Sequence, residues 1–290
     1  MGASTMKKRV SLILLVLLLA GCSSTTFVYN RLDFLLPWYL GDYVNLDRQQ
    51  KKHLDEILKP FLSWHRAEEL PVYLAILDDV RVRLEQPVSA DDVMEFSSKV
   101  EAAWFRLEEE ALDWLLSLGD QLSDQQMAEF IAELRAKQVE YEEEYLPRSD
   151  EEYREEASDN LRDNLQDYLG RLEPEQSAIL QVANKQLIRS DAAWLLERAR
   201  WLDTLQSILQ RDSGWQQRLS AAIADRDENV SQEYNDTFSH NLSVIQGAIT
   251  DVLSSRTPKQ DKRLKREIDG LREDLETLIQ QGQKTSAEAA

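Results

Sequence analysis

Apolar side chains recur at three- and four-residue steps through most of this chain, the spacing that places them on one face of an α-helix. Leu54, Ile57, Leu58, Phe61, Trp64, His65 and Glu68 form the first such stripe, opened by Leu46-Asp47-Arg48-Gln49-Gln50. Pro60 falls inside it and predicts a kink or a split, and Pro71 predicts its end. Val72, Ile76, Val80 and Leu84 then mark a second helix up to Pro87. Ser89-Ala90-Asp91-Asp92 caps a third, whose stripe runs through Val93, Phe96, Val100, Trp104, Leu107, Ala111, Trp114, Leu115 and Leu118 to a stop at Gly119. Ser123 and Ser149 each begin a capping box, and the second of these helices ends at Gly170. Pro174, at a first-turn position, opens a stretch that breaks near Ser190-Asp191. Ser213-Gly214-Trp215 starts a short helix, and Tyr234, Phe238, Leu242, Ile245, Ile249 and Val252 define a longer one. Thr257-Pro258-Lys259-Gln260 caps the last, in which Leu264, Ile268, Leu271, Leu275 and Leu278 fall close to heptad spacing. No stretch sustains apolar–polar alternation, so the pattern predicts an all-α fold without a sheet, an elongated bundle of about eight to ten helices. The expected organisation is a single helical domain over residues 27–281, a weak point at 142–159 and a disordered tail over 282–290.

The first residues depart from this pattern. Lys7, Lys8 and Arg9 precede an apolar run from Val10 to Leu19 that is too short to span a bilayer as a mature helix. That layout is a secretory signal peptide, with Met1 or Met6 as its start. The run closes on Leu19-Ala20-Gly21-Cys22, which resembles a bacterial lipobox. The resemblance implies removal of residues 1–21 and covalent lipidation of Cys22, which becomes the first residue of a mature protein carrying three acyl chains. One chain would hold only marginally, and several make the anchor effectively permanent. The resemblance also implies that Ser23, where an Asp would favour inner-membrane retention, directs the protein to the outer membrane with its body facing the periplasm.

Cys22 is the only cysteine, so no intramolecular disulfide can form. Residues 22–26 would form a lipidated tether, in which Ser23 to Thr26 reach roughly 15 Å when extended. Phe27 to Leu36 and Pro37-Trp38-Tyr39-Leu40-Gly41 follow as the most aromatic stretch of the chain. Two readings fit it: the start of the core, or contact with the membrane–water interface, where aromatic rings with polar tips are favoured.

The formal charge is -19, and loss of Lys7, Lys8 and Arg9 with the leader makes it three units more negative. Such a surface argues against a broad basic face for nucleic acid or anionic headgroups, and favours basic or divalent-cation partners. With nine Gly and seven Pro in 290 residues, helix breakers are few, which supports the helical reading.

One pattern recurs at helix starts: Leu46-Asp47-x-x-Gln50, Leu122-Ser123-x-x-Gln126, Leu172-Glu173-x-x-Gln176 and Thr257-x-x-Gln260. Plain capping explains it, with Gln reaching back to the cap N–H. It also resembles the Leu-Thr-x-x-Gln motif of small periplasmic stress chaperones, although Thr occurs only at 257 and there without the Leu. His53, His65 and His240 are the only histidines, too few and too scattered for a zinc set, so no metal and no cofactor beyond the Cys22 lipid is expected. No Gly-rich phosphate loop and no nucleophile elbow is present, which leaves no catalytic residue to name. Trp64, His65, Arg66 and Glu69 are the candidate partner surface: either a hydrogen-bonded polar cluster fixing the turn at Pro71, or a groove lined by Trp64.

Tyr29-Asn30-Arg31-Leu32-Asp33, Trp38-Tyr39-Leu40, Asp42-Tyr43-Val44, Trp64-His65-Arg66-Ala67-Glu68-Glu69-Leu70-Pro71 and Gly170-Arg171-Leu172-Glu173-Pro174-Glu175-Gln176 together resemble an uncharacterised family of proteobacterial lipoproteins. The likeness spans most of the mature chain and implies localisation and a helical fold, without activity or site residues. The function expected is that of a non-enzymatic, membrane-anchored lipoprotein binding an envelope protein or peptide. A chaperone that holds unfolded periplasmic chains is the alternative.

Overall fold

Asp47, Ser89, Ser123 and Ser149 each hold an extended backbone and accept a hydrogen bond from the third helical N–H, while the side chain three residues on returns to the cap N–H. In the computed structural model, which describes residues 24–289, these caps start four of the helices. The elements are α1 (Ser24–Tyr29), α2 (Leu32–Leu40), α3 (Arg48–Trp64), α4 (Leu70–Arg83), α5 (Ala90–Gln121), α6 (Asp124–Tyr145), α7 (Asp150–Leu169), α8 (Pro174–Asn184), α9 (Asp191–Ile208), α10 (Trp215–Ala224), α11 (Gln232–Ser254) and α12 (Pro258–Ala289). A π-helical turn, His65–Glu69, joins α3 to α4. No strand occurs among the described residues, and the protein is an all-α bundle. Cys22 and the leader lie outside the described residues.

The apolar stripes meet in two cores. The first takes Leu70 and Leu77 from α4 and Leu84 from its C-cap, Leu165 and Leu169 from α7, Leu180 from α8, Val252 from α11, and Leu264, Ile268, Leu275 and Leu278 from α12. The second takes Leu54 and Leu58 from α3, Leu118 from α5, Met127 from α6, Ile208 from α9 and Trp215 from α10, with Val44 and Leu46. Each core draws on both halves of the chain, so residues 142–159 are not a boundary between sequential domains. The turn there is tied down instead: Tyr145 is buried, and Arg148 donates to Asp191 at 2.6 Å and to Glu156 at 2.6 Å.

Several local expectations change. Neither Pro60 nor Pro71 ends the first helix: Pro60 lies within α3, and Pro71 directly follows the π turn at the second position of α4. The chain stays helical from Arg48 to Arg83 because the π turn absorbs the change, the Leu70 N–H donating to the His65 carbonyl five residues back. That extra residue rotates the inward face. Glu69 and Leu70 are buried where Glu68 and Val72 were expected, and the α4 stripe becomes Leu70, Leu77 and Leu84.

Gly119 does not stop α5, which runs on to Gln121. Its role is space, since a Cβ there would lie 2.9 Å from the Trp215 ring. α1 is already helical at Ser24, inside the span expected to be a tether. Thr25 and Tyr29 bury against the body, and Thr26 donates to Asp274 of α12 at 3.1 Å. α12 continues to Ala289, through the expected disordered tail over 282–290. Gly282 lies directly against the Arg66 stem there, and a Cβ would stand 2.6 Å from its Cδ.

Candidate functional site

The π turn carries the residues singled out as a partner surface, and it divides them. His65 and Glu69 face inward at 4% and 2% exposure, while Trp64 and Arg66 are half-buried. His65 Nδ1 shares a 2.8 Å hydrogen bond with the Tyr29 hydroxyl, and Nε2 stands 3.5 Å from the Tyr73 hydroxyl. Phe61, Trp64, Tyr29 and Tyr73 rings surround it. Burial pushes the His65 imidazole down to about 4, against the nearby Glu69 carboxylate, which acts in the opposite direction. The ring is therefore neutral at pH 7. Burial likewise lifts the Tyr29 hydroxyl up to about 12, opposed by the Arg66 guanidinium.

Glu69 pairs across to α5, where Arg106 donates to both carboxylate oxygens at 3.0 and 2.6 Å. Arg66 finds an amide rather than an acid: its guanidinium donates to the Asn30 side chain at 2.9 Å and lies 5.0 Å over the Tyr29 ring. These residues thus bind α1, α3, α4, α5 and α12 together, and they do not line one open groove. The Tyr29 and Arg106 partners were not foreseen, because their sequence separation from the π turn gives no local signal.

The four capping glutamines come together in two pairs. Gln50 and Gln126 exchange amide hydrogen bonds at 2.8 Å each way, and their remaining amide protons go to the Gln121 and Asn45 carbonyls. Gln176 and Gln260 do the same at 3.0 and 2.8 Å, with Gln260 also donating to the Arg171 carbonyl. In all four, Oε1 accepts from the cap N–H as well, at 2.9 Å. The motif that resembles the stress-chaperone sequence is here spent on capping and on joining α3 to α6 and α8 to α12.

The histidines do not assemble. His53 shares a hydrogen bond with Ser117, and His240 donates to the Gln186 carbonyl. Among the described residues no group of three His, Cys, Asp or Glu is placed to hold a metal ion. No helix of the described residues is long and apolar enough to cross a membrane.

Apolar side chains are open to solvent at many points, and they cluster along single elements in two places. On α5, Phe96, Val100 and Trp104 are 37–40% exposed, although the periodicity placed them inward. At 32 residues α5 is about 48 Å long, and its middle extends beyond full cover by its neighbours. α11 runs antiparallel beside it: Ser254 donates to the Val88 carbonyl at one end, and Arg226, just before α11, donates to Glu108 at the other. This register sets Phe238 and Leu242, also exposed, level with Trp104 and Val100. The second patch lies on α1 and α2, where Phe27, Phe34 and Trp38 are exposed.

No curated protein and no solved structure matches the chain. Residues 42–235, from the loop before α3 to the first turn of α11, match a family of unknown function, DUF6279. On that extent of match, this chain belongs to the DUF6279 family.

Proposed function

We propose that this protein is a lipoprotein anchored through Cys22 in the outer membrane, with its helical body in the periplasm, and that it acts by binding an envelope protein or peptide rather than by catalysis. The observation that supports binding is the run of exposed Phe96, Val100 and Trp104 on α5, with exposed Phe238 and Leu242 on the neighbouring α11, in a protein of net charge -19. Exposed Glu101 and Glu109 on α5, with Glu233 and Asp236 on α11, flank it. A segment with an apolar face bordered by Lys or Arg is the complementary partner.

Capture from an envelope extract tests this reading, with wild type compared against a Trp104→Ser/Phe238→Ser variant. A defined partner retained by wild type and lost from the variant is the expected outcome. Equal recovery, or no specific partner, counts against it. Client holding is the second reading of the same stripe, and suppression of aggregation of an unfolded periplasmic protein would favour it. The anchor is tested separately by labelling with radioactive palmitate. Wild type should take up label, and Cys22→Ser should take up none.

A further inference from the structure

We propose that Phe27, Phe34 and Trp38 form a docking face that seats in the headgroup–acyl boundary of the membrane holding the anchor, and so fixes how the body stands on the bilayer. The proposal rests on the lipoprotein reading of Cys22. Phe34 is 67% exposed, Phe27 58% and Trp38 53%, on a chain that offered the core as an alternative home for all three.

The segment that presents them is firmly held from behind. α2 packs half-buried Leu36 and Leu40 against the second core, and Tyr39 bonds Tyr43 at 2.9 Å. α1 buries Tyr29 in the first core and is pinned to α12 through Thr26 and Asp274. The aromatic rings are thus exposed on a fixed platform. On α2, Phe34 and Trp38 are four residues apart and share one helix face.

Position in the chain selects the occupant. α1 begins two residues after Cys22, and Phe27 lies five residues after it, at most roughly 17 Å even if extended. A lipid at Cys22 therefore holds Phe27 within that distance of the bilayer by chain connectivity alone. The local charge agrees. Arg31 lies 4.3 Å over the Phe27 ring and Asp33 sits beside it, a balanced pair in a protein of net charge -19. Aromatic rings flanked by a guanidinium on a flexible stem suit the membrane–water interface, where the rings enter and the cation remains with the headgroups.

The test uses the mature lipidated protein in vesicles of phosphatidylethanolamine and phosphatidylglycerol, with part of the lipid brominated in its acyl chains. Wild type should show bromine-dependent quenching of roughly one-seventh of its emission, if its seven tryptophans contribute equally. Trp38→Phe should abolish that quenching, and Phe27→Ser/Phe34→Ser should reduce it about twofold or more, with circular dichroism unchanged. Absence of quenching in wild type, or undiminished quenching in Trp38→Phe, overturns the proposal.

The mass of the mature N-terminus reports the anchor independently. If Cys22 carries no acyl chain, the lipoprotein reading fails. The same vesicles added to the unlipidated mature chain then decide the patch: quenching abolished by Trp38→Phe supports it, and none overturns it. Sedimentation of the Cys22→Ser mature chain as a dimer that Trp38→Ser dissociates would assign the face to a second copy, and would also overturn the proposal.

Discussion

The side-chain amides of Gln176 and Gln260 face each other as a reciprocal pair, each donating to the other, at 0% and 3% exposure. Each also caps its own helix, so one residue satisfies a backbone orphan and a long-range partner together. Replacing Gln176 with Ala takes the reciprocal partner from the buried Gln260 amide, which keeps only the Arg171 carbonyl and the Thr257 cap, and leaves the Glu173 N–H without its partner. A loss of about 1–3 kcal/mol is expected. Gln126→Ala should cost less, because Gln126 is only half-buried. In urea denaturation, Gln176→Ala and Gln260→Ala should be markedly non-additive when combined, since the second change removes a group that has already lost its reciprocal partner. Simple addition would show that the pair carries no coupling.

Protonation of His65 should destabilise the fold in mild acid. Its folded value, about 4, lies below the usual 6.5 of a free imidazole. Between those values the unfolded chain binds more protons than the folded one, so this contribution is complete above pH 6.5 and is lost as pH falls toward 4. The total is on the order of 3 kcal/mol. His65→Gln keeps a hydrogen-bonding amide but cannot titrate. Its stability loss from pH 7 to 4.5 should be shallower than that of wild type, and parallel curves would contradict a buried neutral imidazole.

Removing Arg106 should cost more than its own exposure suggests. The guanidinium is 39% exposed, but the Glu69 carboxylate it satisfies is only 2% exposed. Arg106→Ala leaves that charge without its bidentate partner, at a cost of about 1–3 kcal/mol once partial access of water is allowed for. Glu69→Gln/Arg106→Leu should recover part of the loss in thermal denaturation. A double variant no more stable than Arg106→Ala would mean that the stranded carboxylate is not the source.

Three helical glycines should respond differently to alanine. At Gly119 the new Cβ meets the Trp215 ring at 2.9 Å, and that ring is itself only 6% exposed and has little room to yield. Gly119→Ala should destabilise by about 1–3 kcal/mol despite the better helix former. At Gly247 nothing lies within 4 Å, so Gly247→Ala should stabilise by up to about 1 kcal/mol. Gly282→Ala should fall between them, because the Arg66 stem it meets is flexible. The order of melting temperatures checks all three.

Helix starts were well readable from the sequence, because a cap is a local event. Asp47, Ser89, Ser123, Ser149 and Thr257 needed only a residue three positions on, and Gly170 at φ +75° ends α7 as expected. Partners across the fold were not readable. Nothing near Glu69 names Arg106, and nothing in the four glutamine motifs says which will meet. Periodicity also overstated burial on α5, since it reports which residues share a face and not whether another helix covers that face. At the π turn the period itself changed, which displaced Glu68 and Val72 from the core.

That turn acts as a phase shifter in a continuous strut. An extra residue advances the downstream helix by about 100° relative to an uninterrupted one. Upstream, Leu54 and Leu58 point into the second core; downstream, Leu70, Leu77 and Leu84 point into the first. Deleting the exposed Ala67 would restore an α-helical pitch and rotate one end of the strut out of phase with the other. Either α3 or α4 would then present the wrong side chains to its core. The two cores are geared to each other through five residues, and neither can be repacked by a change of length there without turning the other.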